Sequence, residues 1–157
     1  MVERHKQIAI MSLPLDSARV LLDQRFASMR DAILAIGQVM LAHGDVTPRY
    51  VQGMLAKEAQ YSTWVTEGVA LPHGTNEVKN EVLRSSVVVA QAPQGVDWGG
   101  KMVYLAIGLA GRGDDSHLSL LASLAGVLQH PELVEKLRTS KDKNEVVRIL
   151  TQRENPG

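Results

Sequence analysis

Two stretches of the chain are apolar without alternation: Val87-Val88-Val89-Ala90, within Ser85 to Gln91, and Met102 to Leu109. A strand with one wet face alternates polar and apolar residues, so these uninterrupted runs predict strands at the centre of a sheet, covered on both faces. Val69, Ala70 and Leu71 make a shorter run of the same kind that stops at Pro72, and Ala18 to Leu22 predicts a first strand. Between these runs the period becomes helical. Ala32, Ile36, Val39, Met40 and His43 fall on one face of a helix that Ser28 caps, with Asp31 as reciprocal partner, and Gly44 ends it. Thr47-Pro48 starts a second helix, with the hydroxyl as N-cap and proline at the first position. Its stripe is Tyr50, Val51, Met54 and Leu55, which leaves Lys57 and Glu58 near its C-terminal end.

Asn76 to Leu83 reads as one or two helical turns, and Leu120, Leu121, Leu124 and Leu128 repeat at helical spacing after Ser116, an expected cap with His117 in the first turn. Pro131 opens a short helix, and Asp142 with Glu145 caps a last one carrying Val146, Val147, Ile149 and Leu150. The intervening segments read as connections. Gln60 to Thr66, with Trp64, is polar; Pro93-Gln94-Gly95 and Gly99-Gly100 predict turns around a short edge segment, Val96 to Trp98; Gly111 to Asp115 is a flexible charged loop. Residues 1–15 are expected to be a partly disordered leader, residues 16–152 one folded domain, and residues 153–157 a polar tail. Helices interleaved with buried strands predict an α/β protein of a single domain, a three-layer sandwich with a mixed β-sheet and helices on both faces.

Charge and composition narrow the function. The formal net charge is zero and the cations are scattered, which argues against nucleic acid as a partner, since binding the phosphate backbone takes a concentrated basic surface. The absence of cysteine excludes disulfides, zinc-thiolate sites and thiol catalysis, and agrees with a cytoplasmic location. No run approaches the roughly twenty apolar residues of a membrane span, and Ile8 to Met11 is too short for a signal peptide, so no direct membrane insertion is expected. The five histidines include no His-Glu-x-x-His pair, so a metal site is not supported. Neither a Gly-x-Ser-x-Gly elbow nor a nucleotide P-loop occurs, and the spacing in Gly108 to Gly113 is not that of a dinucleotide fingerprint.

Chemistry concentrates in Glu67-Gly68-Val69-Ala70-Leu71-Pro72-His73-Gly74-Thr75. A buried strand ends at a proline, which fixes φ and lacks an N–H, and the glycine after the histidine has no Cβ to obstruct an approaching group. His73 is therefore expected at a strand end with open space beside it. By itself this wording also fits a plain turn histidine.

This stretch, together with Gly44-Asp45-Val46-Thr47-Pro48-Arg49-Tyr50-Val51-Gln52 upstream and Asp115-Ser116-His117-Leu118 downstream, resembles the mannitol-type enzyme IIA of the bacterial phosphoenolpyruvate-dependent sugar phosphotransferase system. The likeness runs from about Ser28 to about Leu150. It implies a phosphocarrier that accepts a phosphoryl group on His73 from phospho-HPr and passes it to the cysteine of a IIB unit, for uptake of mannitol or a related hexitol, with no bound cofactor. It also implies that His117 lies next to His73. Where the relatives carry arginine after Met-Leu-x, this sequence has Lys57, which keeps a point charge for phosphate but loses the planar bidentate fork. Thr75 can donate its hydroxyl to a phosphoryl oxygen or to the His73 ring, or cap the next turn. Leu71 and Trp64 are candidates for a transient docking surface. Nitrogen-type and fructose-type relatives share the fold, so a regulatory protein acting by phosphorylation-dependent binding is the alternative.

Overall fold

Val87 to Ala90 and Leu105 to Leu109 are buried on two sides, whereas Met102, at the start of the second run, is 48% exposed. The computed structural model describes residues 13–151, and in it five strands form one mixed sheet in the order β1-β4-β5-β3-β2. They are β1 (Val20–Leu21), β2 (Trp64–Thr66), β3 (Gly68–Ala70), β4 (Ser86–Trp98) and β5 (Lys101–Ala110). β1 is parallel to β4 and β3 to β5, whereas β4–β5 and β2–β3 are antiparallel.

Successive strand residues point to opposite faces, and here each face meets its own core. Val88, Ala90, Ala92, Ala106 and Ala110 join Ile33, Ile36, Met40, Tyr50 and Met54 of α1 (Met29–Ala42) and α2 (Pro48–Gln60). Val87, Val89, Leu105, Ile107 and Leu109 join Leu120, Leu124, Leu137, Val146 and Leu150 of α3 (Asp114–Leu128), α4 (Pro131–Thr139) and α5 (Lys143–Thr151). The expected three-layer sandwich with helices on both faces is therefore what forms. β5 shows small residues to α1 and large ones to α3 through α5. α1 comes so close that Ile36 Cγ2 lies 2.3 Å from where a Cβ on Gly108 would stand.

Local signals hold in part. The Ser28 hydroxyl accepts the Asp31 N–H at 3.1 Å, and the Asp142 carboxylate accepts the Asn144 N–H at 2.9 Å. Thr47 precedes α2, but its hydroxyl donates to Glu81 instead of capping. α3 starts at Asp114 with Gly113 as N-cap, so Ser116 lies inside the helix and is not its cap. Trp64 to Thr66, expected as a connection, is the edge strand β2. Pro93 to Gly95 does not break the chain: β4 runs through it, with a register shift against β5 between Gln91 and Val96. A proline has no N–H to lose from a ladder that is already interrupted there.

The leader lies outside the described residues as far as residue 12, and so does the tail. Leu13 and Leu15 are buried in the core beneath α3 to α5. A buried ionic cluster ties this end of the chain down. Asp45, 0% exposed, accepts from Arg19 at 2.9 Å and from Arg84 at 3.0 Å. A buried carboxylate is tolerated only when paired this fully. Among the described residues no helix is long and apolar enough to cross a membrane.

Candidate functional site

The parallel strands β3 and β5 end at the same edge of the sheet, and the segments that leave their C-terminal ends make the site. The pairing continues past β3, with the Leu109 N–H donating to the Pro72 carbonyl at 3.0 Å. Leu71 and Pro72 are buried, and the chain then surfaces at His73, which is half-buried. His73 Nδ1 lies 2.8 Å from the Leu71 carbonyl. A carbonyl only accepts, so the contact assigns the ring proton to Nδ1 and leaves the Nε2 lone pair free.

His117 arrives from β5. Gly113, at φ 84°, caps α3, and His117 sits in the first turn with its N–H donating to the Gly113 carbonyl at 3.2 Å. Its ring centroid is 5.2 Å from that of His73, with the planes at 57°. This closeness depends on Gly111: a Cβ there would stand 2.5 Å from the His117 Cα and 2.6 Å from its N.

Gly74 has a different reason from the one its sequence context suggests. A Cβ at Gly74 would lie 2.7 Å from Tyr50 Cε1, so the space beside it is taken up by the protein's own interior, not kept for a partner. Tyr50 locks the site floor. Its hydroxyl donates to the Leu109 carbonyl at 2.9 Å and accepts the Gly74 N–H at 3.0 Å, joining the end of β5 to the residue after His73. Burial pushes the Tyr50 phenol up to about 12, with the Gly74 bond acting the other way, so the group stays a neutral strut at working pH. The sequence places Tyr50 only in an apolar stripe. Its phenol, the one polar tip in that stripe, is the available signal.

Burial is the main cause that pushes the His73 imidazole below its ordinary 6.5; the Leu71 carbonyl opposes the shift, the Lys57 charge adds to it and Glu58 opposes it. His117 is lowered by burial first, then by His73 and Lys57, against Asp114. Lys57 is thus near enough to act on both rings, while its ammonium lies 5.3 Å from the Tyr61 ring centroid. Thr75 is buried beside Gly74, and its hydroxyl does not cap the 3-10 turn Asn76–Glu81. Together with Lys79, Asp114 and His117 it lines a small cleft.

Both imidazoles are therefore neutral at pH 7, and this sets the sign of the pH effect. Proton-linked stability from these rings is fully present above 6.5 and is lost as the pH falls from there through their lowered folded values. An NMR titration is expected to place the His73 midpoint below that of a free histidine. A midpoint at or above the ordinary value would contradict the burial argument.

One expectation fails here. Leu71 is buried and cannot be a docking residue, whereas Leu118, next to His117, is 63% exposed. Trp64 is half-buried with the Lys101 ammonium 4.3 Å from its ring, and it lines a separate cleft with Glu67, Tyr104 and Arg138. Among the described residues no group of His, Asp and Glu is placed to hold a metal ion.

The model of the family described as "Phosphoenolpyruvate-dependent sugar phosphotransferase system, EIIA 2" matches residues 14–153. The chain is 37% identical over 139 residues to a multiphosphoryl transfer protein of Vibrio cholerae, covering 88% of this chain and 34% of that protein. It therefore spans about a third of the length of that relative. It is 34% identical over 140 residues to a mannitol-specific phosphotransferase enzyme IIA component of Staphylococcus aureus, covering 89% of this chain and 96% of the other. Among solved structures, the complex of enzyme IIA and phosphorylated enzyme IIB for mannitol from Escherichia coli superposes with a TM-score of 0.82 at 32% identity, covering 88% of this chain and 98% of the other.

Proposed function

Because the chain belongs to the EIIA type 2 family of the phosphoenolpyruvate-dependent sugar phosphotransferase system, we propose that it is the phosphocarrier of a mannitol or related hexitol uptake system and that His73 Nε2 carries the phosphoryl group. The observation that carries this reading is the Nδ1 to Leu71 hydrogen bond at 2.8 Å, which leaves a neutral, partly exposed imidazole with one free lone pair.

In the first step that lone pair attacks phosphorus of the phosphohistidine of HPr. The new N–P bond forms as the donor N–P bond breaks, and its electron pair returns to the donor ring. In the second step the thiolate of a IIB cysteine attacks, the S–P bond forms, and the pair of the breaking N–P bond restores neutral His73. Phosphoryl transfer needs positioning and charge stabilisation more than covalent help. His117, Lys57 and the Thr75 hydroxyl supply it. The exposed Leu118 beside the site belongs to the face that meets partners, which must be released quickly. The reactions run in the cytoplasm, where HPr and the IIB unit meet this chain.

The test is intact-mass analysis after incubation with phosphoenolpyruvate, enzyme I and HPr. One acid-labile phosphoryl gain, lost on adding a IIB unit, is expected. No gain would overturn the carrier reading, and a gain that a IIB unit does not remove would favour the regulatory one. Lys57→Met is expected to slow the gain by about 100- to 1,000-fold, as loss of an electrostatic donor does, and to raise the midpoints of both histidines. Lys57→Arg should retain or increase the rate. A rate unchanged in Lys57→Met would remove Lys57 from the site.

A further inference from the structure

The carboxylate of Glu58 sits where a helix least favours one, in the last turn of α2 next to carbonyls without intrahelical partners. It is nevertheless fully engaged. Oε2 accepts the Thr63 N–H at 2.9 Å and the Trp98 indole N–H at 2.9 Å, and Oε1 accepts the Thr63 hydroxyl. Two bonds to one residue fix the rotation of Thr63 as well as its place. The Thr63 carbonyl accepts the Leu71 N–H at 2.9 Å, and the Leu71 carbonyl accepts His73 Nδ1–H at 2.8 Å.

The sheet alone does not hold Thr63. β2 has three residues, lies at the edge, and shifts register against β3 between Trp64 and Thr66. On the β5 side the Leu109 N–H holds the Pro72 carbonyl; on the β2 side the Thr63 to Leu71 bond is the last tie before the histidine, and its far end is fastened by α2 through Glu58.

We propose that Glu58 is a positioning residue for the phosphoryl acceptor: by clamping Thr63 it fixes Leu71, and with it the hydrogen bond that keeps the His73 proton on Nδ1 and the Nε2 lone pair ready to attack. This rests on His73 being the acceptor. Glu58 does not touch the phosphoryl group. Its negative charge also opposes that of its neighbour Lys57 at the His73 ring.

The test reads the tautomer of His73 in the full chain by ¹⁵N NMR of the imidazole, well above its titration midpoint. Wild type is expected to show the Nδ1–H form alone. Glu58→Leu should show both tautomers and a phosphoryl gain slowed about 10-fold, the loss expected of a displaced nucleophile. Glu58→Gln, whose amide oxygen still accepts from Thr63, should restore the single tautomer. Trp98→Phe removes one bond to the carboxylate and leaves Thr63 clamped, so it lowers the unfolding temperature without mixing tautomers. If Glu58→Leu does not fold, Thr63→Val removes the hydroxyl bond and should mix the tautomers in the same direction. A wild-type tautomer in Glu58→Leu, or in Thr63→Val where that variant stands in, would overturn the proposal, as would equal mixing in Trp98→Phe. Because the tautomer is read without any phosphoryl donor, failure of this inference is separable from failure of the carrier reading, which would appear as no mass gain in wild type.

Discussion

His73→Ala is expected to abolish phosphoryl acceptance while the protein stays folded. The ring is half-exposed and makes one hydrogen bond, to the Leu71 carbonyl, so its loss should lower stability by only about 1 kcal/mol. The chemical loss is of another order. Without a nucleophile the remaining groups can bind and polarise a donor but have nothing to form the N–P bond, so the rate should fall at least about 10⁴-fold. His117 does not substitute for it. Its ring is 5.2 Å from that of His73, and it stands on a helix start held by its own backbone bond to Gly113, so it is not expected to reach the place that His73 Nε2 occupies. Intact mass after exposure to phospho-HPr and a thermal melt check both halves. An acid-labile gain that persists in His73→Ala would move the acceptor elsewhere, and His117→Ala would then show where.

Gly111→Ala should be the most damaging change outside the acceptor itself. The added Cβ would stand 2.5 Å from the Cα and 2.6 Å from the N of His117, and those are backbone atoms, which cannot rotate away as a flexible side chain does. Either β5 or the start of α3 must move. Overpacking of this sort costs on the order of 1–3 kcal/mol. Because the atoms displaced carry His117, the partner ring moves with them. A shift of about 1 Å near a reacting centre costs about 100-fold in rate. The expected result is a lower unfolding temperature together with a slowed phosphoryl gain. Wild-type rates in a folded Gly111→Ala would mean that the spacing of the two histidines does not govern transfer.

Much of this site is legible in the chain itself, for reasons that differ from residue to residue. His73 is marked by the Pro-His-Gly-Thr wording, and the central strands by runs such as Val87 to Ala90, which only double-sided burial explains. β2 is not legible, because Trp64 to Thr66 is half-exposed at an edge and shows no clear period. Pro93 and Gly95 form a strong turn signal, and the bulge that lets a strand absorb them depends on the register of the partner strand. Ser116 looks like a cap because hydroxyls usually are, whereas a glycine at positive φ starts the helix three residues earlier. Glu58 reads as a plain helix-end residue, since its donors, Thr63 and Trp98, become its neighbours only through tertiary structure.

The order of the sheet also sets how the chain can assemble. β4 and β5 are joined by Gly99-Gly100, both at positive φ, so the two central strands can zip from a tight hairpin at little loop-closure cost. β1 must instead find its place by pairing Val20 with Val89. Contacts so distant in sequence form late, and the edge they close is the first to open again. Amide protons of the β4–β5 hairpin should therefore exchange with solvent most slowly, and those of β1 and β2 early. The histidine pair sits where the long β5 meets the short β3 beside the three-residue edge strand β2, so the β2 side of the site is expected to adjust more freely than the wall behind it.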